Sequence, residues 1–185
     1  MNTRRLWMMS LAAMLVIVLF VGGSASGYEY DADFSTVETC TGETIQLSGY
    51  EKRVLDLHNR TRADYGLQPL CVHPALTEAA RAHSQEMLDG GYFGHESLDG
   101  GTTGGRLEGF GYTSYGYSYW AIGENIGWGT GYKGLPDHRF DEWMSSSEHW
   151  PNILSEDFDE IGIGVRAGQS YDDGTMYVAD FGTRR

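Results

Sequence analysis

The spacing of apolar residues changes along the chain, and this change constrains the fold more than any other feature. Between residues 48 and 88 apolar side chains recur at intervals of three and four residues, the period of a helix buried on one face. Between residues 160 and 181 they alternate with glycine or polar residues, the period of a strand. Helices followed by paired strands predict an α+β domain.

Two helices are predicted in the first half of the chain. One begins after Ser48, with Glu51 in the capping-box position, and ends at Gly66. The other begins at Pro74, which is favoured at a first helical position, and runs to about Leu88. Their predicted buried stripes contain Tyr50, Val54, Leu57, His58, Thr61 and Tyr65, and then Leu76, Ala79, Ala80, His83 and Met87. We interpret His58 as a hydrogen-bonded core histidine.

The second half is predicted to alternate between short elements and glycine-rich connections. The stretch 99–105 holds four glycines and two threonines and is expected to be too permissive for a helix. The strand is expected to be interrupted at Gly123-Glu124-Asn125, and a turn at Asp172-Asp173-Gly174 is expected to close the final hairpin. The predicted elements are a helix at 106–110, a strand at 120–128, a helix at 136–145 and strands at 160–166 and 175–181.

The N-terminus is typical of an export signal. Arg4 and Arg5 precede an uncharged apolar run, Leu6–Val21, and small residues follow it. This run is shorter than the roughly 20 residues that a membrane-spanning helix needs. Residues 1–26 are therefore predicted to be a removed signal peptide, with retention as an N-terminal membrane anchor as the alternative. In either case the folded part is expected outside the cytoplasm, and no other stable membrane insertion is expected.

The segment that follows, residues 27–47, is acidic and rich in threonine and lacks hydrophobic periodicity. We predict an extended arm there and a folded domain over residues 48–183. The two cysteines of the chain, Cys40 in the arm and Cys71 in the domain, are predicted to form a disulfide that would contribute about 3–4 kcal/mol in the chain-entropy model. The alternative, a metal site, has no histidine or cysteine at ligand spacing from either residue.

The charge balance argues against one class of partner. The chain carries 13 basic and 26 acidic residues, a net charge of −13. Removal of residues 1–26 would leave 11 basic and 26 acidic residues, a net charge of −15. Such a surface repels phosphate backbones, so nucleic-acid binding is not expected. The acidity is consistent with a solvated surface of a secreted protein or with adaptation to high salt.

Short motifs in a fixed order resemble a known family. His58-Asn59-Arg60-Thr61-Arg62 lies in the first predicted helix, and three signatures follow it: Gly91-Tyr92-Phe93-Gly94-His95, Gly123-Glu124-Asn125-Ile126, and Trp143-Met144 with His149 and Asn152-Ile153-Leu154 behind it. From about Ser48 to Gly182 the chain resembles the CAP superfamily of cysteine-rich secretory, antigen 5 and pathogenesis-related proteins, in its short prokaryotic SCP-domain branch. The resemblance implies a three-layer α–β–α sandwich around a small antiparallel sheet.

The resemblance also implies a cleft formed by His95, Glu124 and His149. Several members of the family bind a divalent metal there through the histidines, so His95 and His149 are candidate ligands for an ion such as Zn²⁺. Ser146 stands where the family commonly has a second acid, and Glu148 or Glu142 is the candidate replacement. No organic cofactor is expected.

The expected function is binding rather than catalysis. Neither a Gly-x-Ser-x-Gly elbow nor a His-Glu-x-x-His helix is present. The family resemblance implies a secreted module for a small apolar, glycan or protein ligand. The alternatives are a metal-assisted hydrolase of the cell envelope, working through a metal-activated water, and an inert structural appendage.

Overall fold

The computed structural model describes residues 33–168 and 174–185. The predicted signal segment and the turn residues Asp172 and Asp173 lie outside these ranges. The elements are β1 (Phe34–Glu38), β2 (Thr44–Ser48), α1 (Gly49–Asp64), β3 (Cys71–Val72), α2 (Pro74–Gly90), α3 (Thr103–Gly109), β4 (Trp120–Gly129), a 3₁₀ turn (Gly131–Gly134), α4 (Pro136–Ser145), α5 (Trp150–Ile153), β5 (Glu160–Ala167) and β6 (Thr175–Arg184).

A four-stranded sheet forms the middle of the domain, with strand order β3-β5-β6-β4. Strand β6 pairs antiparallel with β4 on one side and with β5 on the other. The short β3 pairs parallel with β5. The sequence did not predict β3, because two residues are too few to show a periodicity.

Helices cover both faces of the sheet, which confirms the expected three-layer sandwich. On one face α2 packs Ala80 and Met87 against Ile126 and Val178. On the other face lies the larger core cluster, which contains Val54, Phe140, Trp143, Ile161, Tyr177 and Phe181. The glycines of β5 permit the contact with α2, since a Cβ at Gly164 would lie 2.2 Å from the carbonyl carbon of Ala80.

Helix α1 begins with the predicted capping box. The backbone N–H of Glu51 donates to the Ser48 hydroxyl, and the N–H of Ser48 donates to the Glu51 carboxylate. His58 is fully buried, with Nδ1 2.8 Å from the carbonyl oxygen of Val54, which confirms the core interpretation. Tyr65 was expected in the buried stripe but is 64% exposed, because the helix has already ended there.

Residues 34–48 form a paired hairpin, whereas the sequence analysis expected an extended arm over 27–47. Strands β1 and β2 are antiparallel, with Phe34 opposite Ser48. Leu47 is fully buried in the main core, and Val37 and Ile45 pack against it. The apolar alternation is only a few residues long in each strand, so tertiary packing rather than local pattern selects this hairpin.

Two local predictions were wrong in detail. Strand β4 runs without interruption through Gly123-Glu124-Asn125, since its whole length pairs with β6. Helix α3 begins at Thr103, inside the glycine-rich stretch. The Thr102 hydroxyl accepts from the N–H of Gly105, and Leu107 is fully buried, which together offset the low helix propensity of the glycines.

The predicted disulfide between Cys40 and Cys71 is present, with the two Cα atoms 5.5 Å apart. The N–H of Cys40 also donates to the carbonyl of Val72, at 2.8 Å. The bridge therefore joins the β1–β2 hairpin to β3, and the metal-site alternative for these cysteines does not apply. None of the helices within residues 33–168 and 174–185 combines the length and the hydrophobicity that a membrane span requires.

Candidate functional site

Glu124 is the centre of a buried polar cluster on β4. Its side chain is 3% exposed and accepts hydrogen bonds from Nδ1 of His95 at 2.7 Å and from the hydroxyl of Thr103 at 3.0 Å. The guanidinium of Arg106 forms an ion pair with its second oxygen. Burial alone would raise the pKa of Glu124, but the His95 hydrogen bond and the Arg106 charge outweigh it and lower the pKa. Glu124 is therefore an anion at neutral pH.

His95 lies in the loop after α2, and three contacts hold that loop. Nε2 of His83 lies 2.9 Å from the carbonyl oxygen of Gly94, to which it donates, and Arg106 donates to the carbonyl of His95 at 3.2 Å. The third contact is the one with Glu124, and this hydrogen bond raises the pKa of His95 against the opposing effect of burial. His83 is thus a core residue, as predicted, and also supports the cleft.

His149 is placed by the turn between α4 and α5. Its Nδ1 lies 2.7 Å from the hydroxyl oxygen of Ser146, the residue that caps α4. The amide of Asn125 on β4 donates to the backbone carbonyl of His149 at 3.1 Å. A serine therefore contacts the ring nitrogen where the family resemblance led us to expect an acid.

The environment of His149 favours its neutral form. Burial lowers the pKa of its ring, and the positive charges of His95 and Arg139 lower it further, while Glu148 opposes them. Glu148 is exposed, and its backbone N–H donates a hydrogen bond to the Ser146 hydroxyl. The expected role of Glu148 as the fourth acid remains a prediction.

An open cavity of about 390 Å³ lies beside His149. Its lining includes both apolar and polar side chains. Gly127 allows Arg139 to cross beneath β4, since a Cβ at Gly127 would lie 2.2 Å from Cδ of that arginine. The lining residues are Phe93, Ile126, Gly127, Trp128, Arg139, Glu142, Trp143, Ser146 and His149.

The donor set available to a metal is small. In the neutral rings, donation from Nδ1 of His95 to Glu124, and from Nδ1 of His149 to Ser146, would leave each Nε2 with a lone pair. Across the described part of the chain, no three residues of the types His, Cys, Asp and Glu are grouped so as to hold an ion. Any ion in the cleft would therefore have at most two imidazoles from the protein, with water as the other ligands, and the metal site at His95 and His149 remains a prediction.

Two residues of this cluster escaped the sequence analysis. Arg106 has a 7% exposed side chain and holds both Glu124 and the His95 loop. Asp180 is fully buried on β6, directly opposite Glu124 in the strand pairing. The sequence did contain a signal for Asp180. Met176, Val178 and Asp180 are alternate residues of one strand, so Asp180 is an acid at a position where an apolar side chain is expected.

The family model described as CAP, cysteine-rich secretory protein family, matches residues 55–181. The chain belongs to the CAP family. It is 38% identical over 126 residues to the uncharacterized protein YkwD of Bacillus subtilis (strain 168), and this match covers 68% of the chain and 46% of that protein. The uncharacterized membrane protein YlbC of the same organism is 33% identical over 115 residues, which cover 62% of the chain and 31% of YlbC. The chain thus spans less than half of either relative.

Solved structures show the same CAP fold. An extracellular protein containing a SCP domain from Bacillus anthracis aligns with a TM-score of 0.59 and 26% identity, over 76% of the chain and 46% of that protein. An outer surface protein of Borrelia burgdorferi aligns with a TM-score of 0.61 over 83% of the chain and 100% of its own length. The latter is 18% identical and supports the fold alone.

Proposed function

We propose that this CAP-domain protein acts outside the cytoplasm as a binding module, and that it takes a small, partly apolar ligand into the cavity beside His149. The observation that carries the proposal is the composition of the cavity wall. Phe93 and Trp128 offer aromatic surface, while Ser146 and His149 offer hydrogen-bonding groups. A concave site with an apolar wall and a few polar groups is the usual form of a small-ligand site.

The polar groups of the cavity favour binding over nucleophilic catalysis. The hydroxyl oxygen of Ser146 accepts from the N–H of Glu148, at 3.3 Å, and lies beside Nδ1 of His149. A nucleophilic serine needs a base that removes its proton and donors that stabilise the resulting oxyanion. The metal site proposed below requires Nδ1 of His149 to donate to Ser146, and in that tautomer this nitrogen has no lone pair with which to act as the base.

We also propose that the cleft binds a divalent ion, such as Zn²⁺, through Nε2 of His95 and Nε2 of His149. Glu124 and Ser146 would orient the two rings through their hydrogen bonds to the Nδ1 atoms, as the outer partners of metal-bound histidines do. A bound ion would supply a Lewis acid next to His149, beside the cavity. Affinity is expected to be modest, because water must provide the remaining ligands.

An extracellular location is supported by two independent features. The Cys40–Cys71 disulfide is typical of proteins in oxidising compartments, and a solved relative is itself an extracellular protein. The apolar N-terminal run provides the expected export signal. Detection of the protein in the culture medium or on the outer face of intact cells would test this part of the proposal.

Tryptophan fluorescence tests the ligand site directly, because Trp128 lines the cavity. We would titrate the purified protein separately with palmitate and with soluble cell-wall glycan fragments. The variant Phe93→Ala removes an aromatic ring from the cavity wall and is expected to weaken binding by about tenfold, the effect of losing about 1.4 kcal/mol. Phe110→Ala is the matched control, since Phe110 is similarly exposed and does not line the cavity.

Three results would contradict the binding proposal. One is saturable binding of neither probe, and another is equal loss of affinity in both phenylalanine variants. The third is release of cleaved glycan during the titration, which a chelator should suppress if a metal-held water does the chemistry. That last result would favour the hydrolase alternative.

A further inference from the structure

Asp180 lies at the centre of the sheet, behind the cleft. Its side chain is fully buried on β6, the strand that pairs with both β4 and β5. Glu124 is its partner across β4, and Gly162 is its partner across β5. Helix α2 closes the space above, since a Cβ at Gly162 would lie 2.0 Å from the carbonyl carbon of Leu76. Solvent therefore does not reach the Asp180 carboxyl.

Neither carboxyl oxygen of Asp180 receives a hydrogen bond from any donor in the described residues. Gly162 has no side chain to offer, and Arg106 donates instead to Glu124 and to the His95 carbonyl. An ionised carboxylate without donors would be strongly destabilising in such a place. The buried position of Asp180, without hydrogen-bond donors, therefore requires its carboxyl group to be protonated.

The neighbouring groups determine where that proton points. Around the Asp180–Glu124 pair lie Arg106 on α3, His83 on α2 and His95 in the loop after α2. Burial raises the pKa of Asp180 well above its ordinary value, and the negative charge of Glu124 raises it further, while Arg106 opposes both. Burial lowers the pKa of His83, which favours its neutral form. Glu124 is thus the anionic acceptor within reach of an Asp180 hydroxyl.

We propose that Asp180 is a positioning residue of the cleft: its protonated carboxyl donates a hydrogen bond to Glu124 and holds that carboxylate toward Nδ1 of His95. Glu124 then accepts from four groups, namely His95, Thr103, Arg106 and Asp180. The donor from the sheet interior restricts rotation of the carboxylate, and the orientation of Glu124 in turn selects the Nδ1–H tautomer of His95. This leaves Nε2 of His95 free to face the cleft.

The protonation state of Asp180 is directly measurable in the wild-type protein. Infrared difference spectra between wild type and Asp180→Asn at neutral pH isolate the Asp180 carboxyl. We expect the C=O stretch of a protonated acid, unchanged between pH 5 and pH 8. A carboxylate band that titrates near the ordinary aspartate value of about 3.9 would overturn the proposal.

The positioning role is tested by the tautomer of His95, read from long-range ¹H–¹⁵N NMR spectra. Asp180→Asn keeps a donor of the same shape, so the Nδ1–H tautomer should persist. Asp180→Leu has similar volume but no donor, so the preference for Nδ1–H should be lost. An unchanged tautomer in Asp180→Leu would refute the positioning role.

Thr183→Val provides the control for a general loosening of β6. Thr183 is also buried, and its hydroxyl donates to Asp159 rather than to the cleft. We expect Thr183→Val to lower stability and to leave the His95 tautomer unchanged. The same tautomer change in this variant would overturn the proposal. Neither measurement requires a ligand or a metal, so failure here is distinguishable from failure of the proposed binding function.

Discussion

At the scale of single residues, the two histidines of the cleft differ in the partners that set their charge. His95 contacts an anionic carboxylate, and its pKa is raised. His149 contacts a neutral hydroxyl and is partly buried, and its pKa is lowered. On acidification His95 is therefore expected to take up a proton before His149, and the two rings should act as neutral ligands together only above the pKa of His95.

Zinc affinity is expected to follow this order. Only neutral imidazole binds a metal, and the pKa of His95 is raised. As the pH is lowered, zinc affinity should therefore begin to decrease before the pH reaches the ordinary histidine pKa of about 6.5. His95→Ala and His149→Ala should each abolish most binding in isothermal titration with zinc. His138→Ala, on α4 and outside the cleft, should bind as wild type does. Equal zinc binding in all four proteins would exclude these two residues as ligands.

The side chain at position 146 determines the strength of the hydrogen bond to Nδ1 of His149. Ser146→Glu should place a charged acceptor on Nδ1 of His149 and tighten zinc binding by roughly tenfold. Ser147→Glu adds the same charge at the neighbouring, exposed position, whereas Ser146 is the residue beside Nδ1 of His149. A similar gain in both variants would attribute the effect to net charge and not to orientation of the ring.

His58 makes stability depend on pH. Burial lowers its pKa to about 4, so the folded state keeps the ring neutral while the unfolded chain binds a proton below about pH 6.5. His58 should therefore reduce the free energy of unfolding by about 2 kcal/mol between pH 7 and pH 5. His58→Gln should make this decrease smaller in urea denaturation at the two pH values. A decrease of the same size in the variant would show that other groups cause it.

At the scale of the elements, the contact between α2 and β5 requires glycine. The residues of β5 that face α2 include Gly162 and Gly164, and there a Cβ would meet the helix backbone rather than a flexible side chain. The main chain of α2 can lie this close to the sheet only without side chains in between, and the small Ala80 serves the same packing.

Gly164→Ala is expected to destabilise the protein by about 3 kcal/mol, because its Cβ would clash with the backbone of Ala80. Gly109→Ala is the matched control: it lies in α3, its Cβ would meet nothing within 4 Å, and alanine favours helix by about 0.5–1 kcal/mol. Chemical denaturation measures both. Equal stabilities of the two variants would contradict this prediction, because they would show that α2 and β5 can separate enough to accept the extra Cβ.

At the scale of the whole molecule, the excess of acidic groups should oppose folding at low ionic strength. The net charge of −13 produces self-repulsion that salt screens. The thermal midpoint is therefore expected to rise between about 0.05 and 1 M sodium chloride. In the double variant Asp64→Lys, Glu108→Lys, each exchange adds two positive units and the net charge becomes −9, so the rise should be smaller. A midpoint that falls steadily with salt would contradict this prediction.

Features that depend on neighbours a few residues apart could be predicted from the sequence. The capping box of Ser48 and Glu51, the helix start at Pro74 and the stripe that buries His83 are interactions within a turn or two of helix. Such patterns are local, and they were confirmed along α1, α2 and α4. The ordered motifs around His95, Glu124 and His149 likewise identified the family, because residue types and their order can be recognised without knowledge of the contacts that they make.

The arrangement of the cleft, in contrast, depends on contacts between distant parts of the chain and could not be predicted from the sequence. Glu124 and Asp180 lie far apart in the sequence and meet because β4 and β6 pair in one register. Arg106 and Glu124 belong to different elements, α3 and β4, and they form an ion pair because the fold brings these two elements together. The contact between Ser146 and His149 depends on where α4 ends and how the following turn closes. Strand register and helix ends are set by packing across the whole domain, so no short stretch of sequence specifies these contacts.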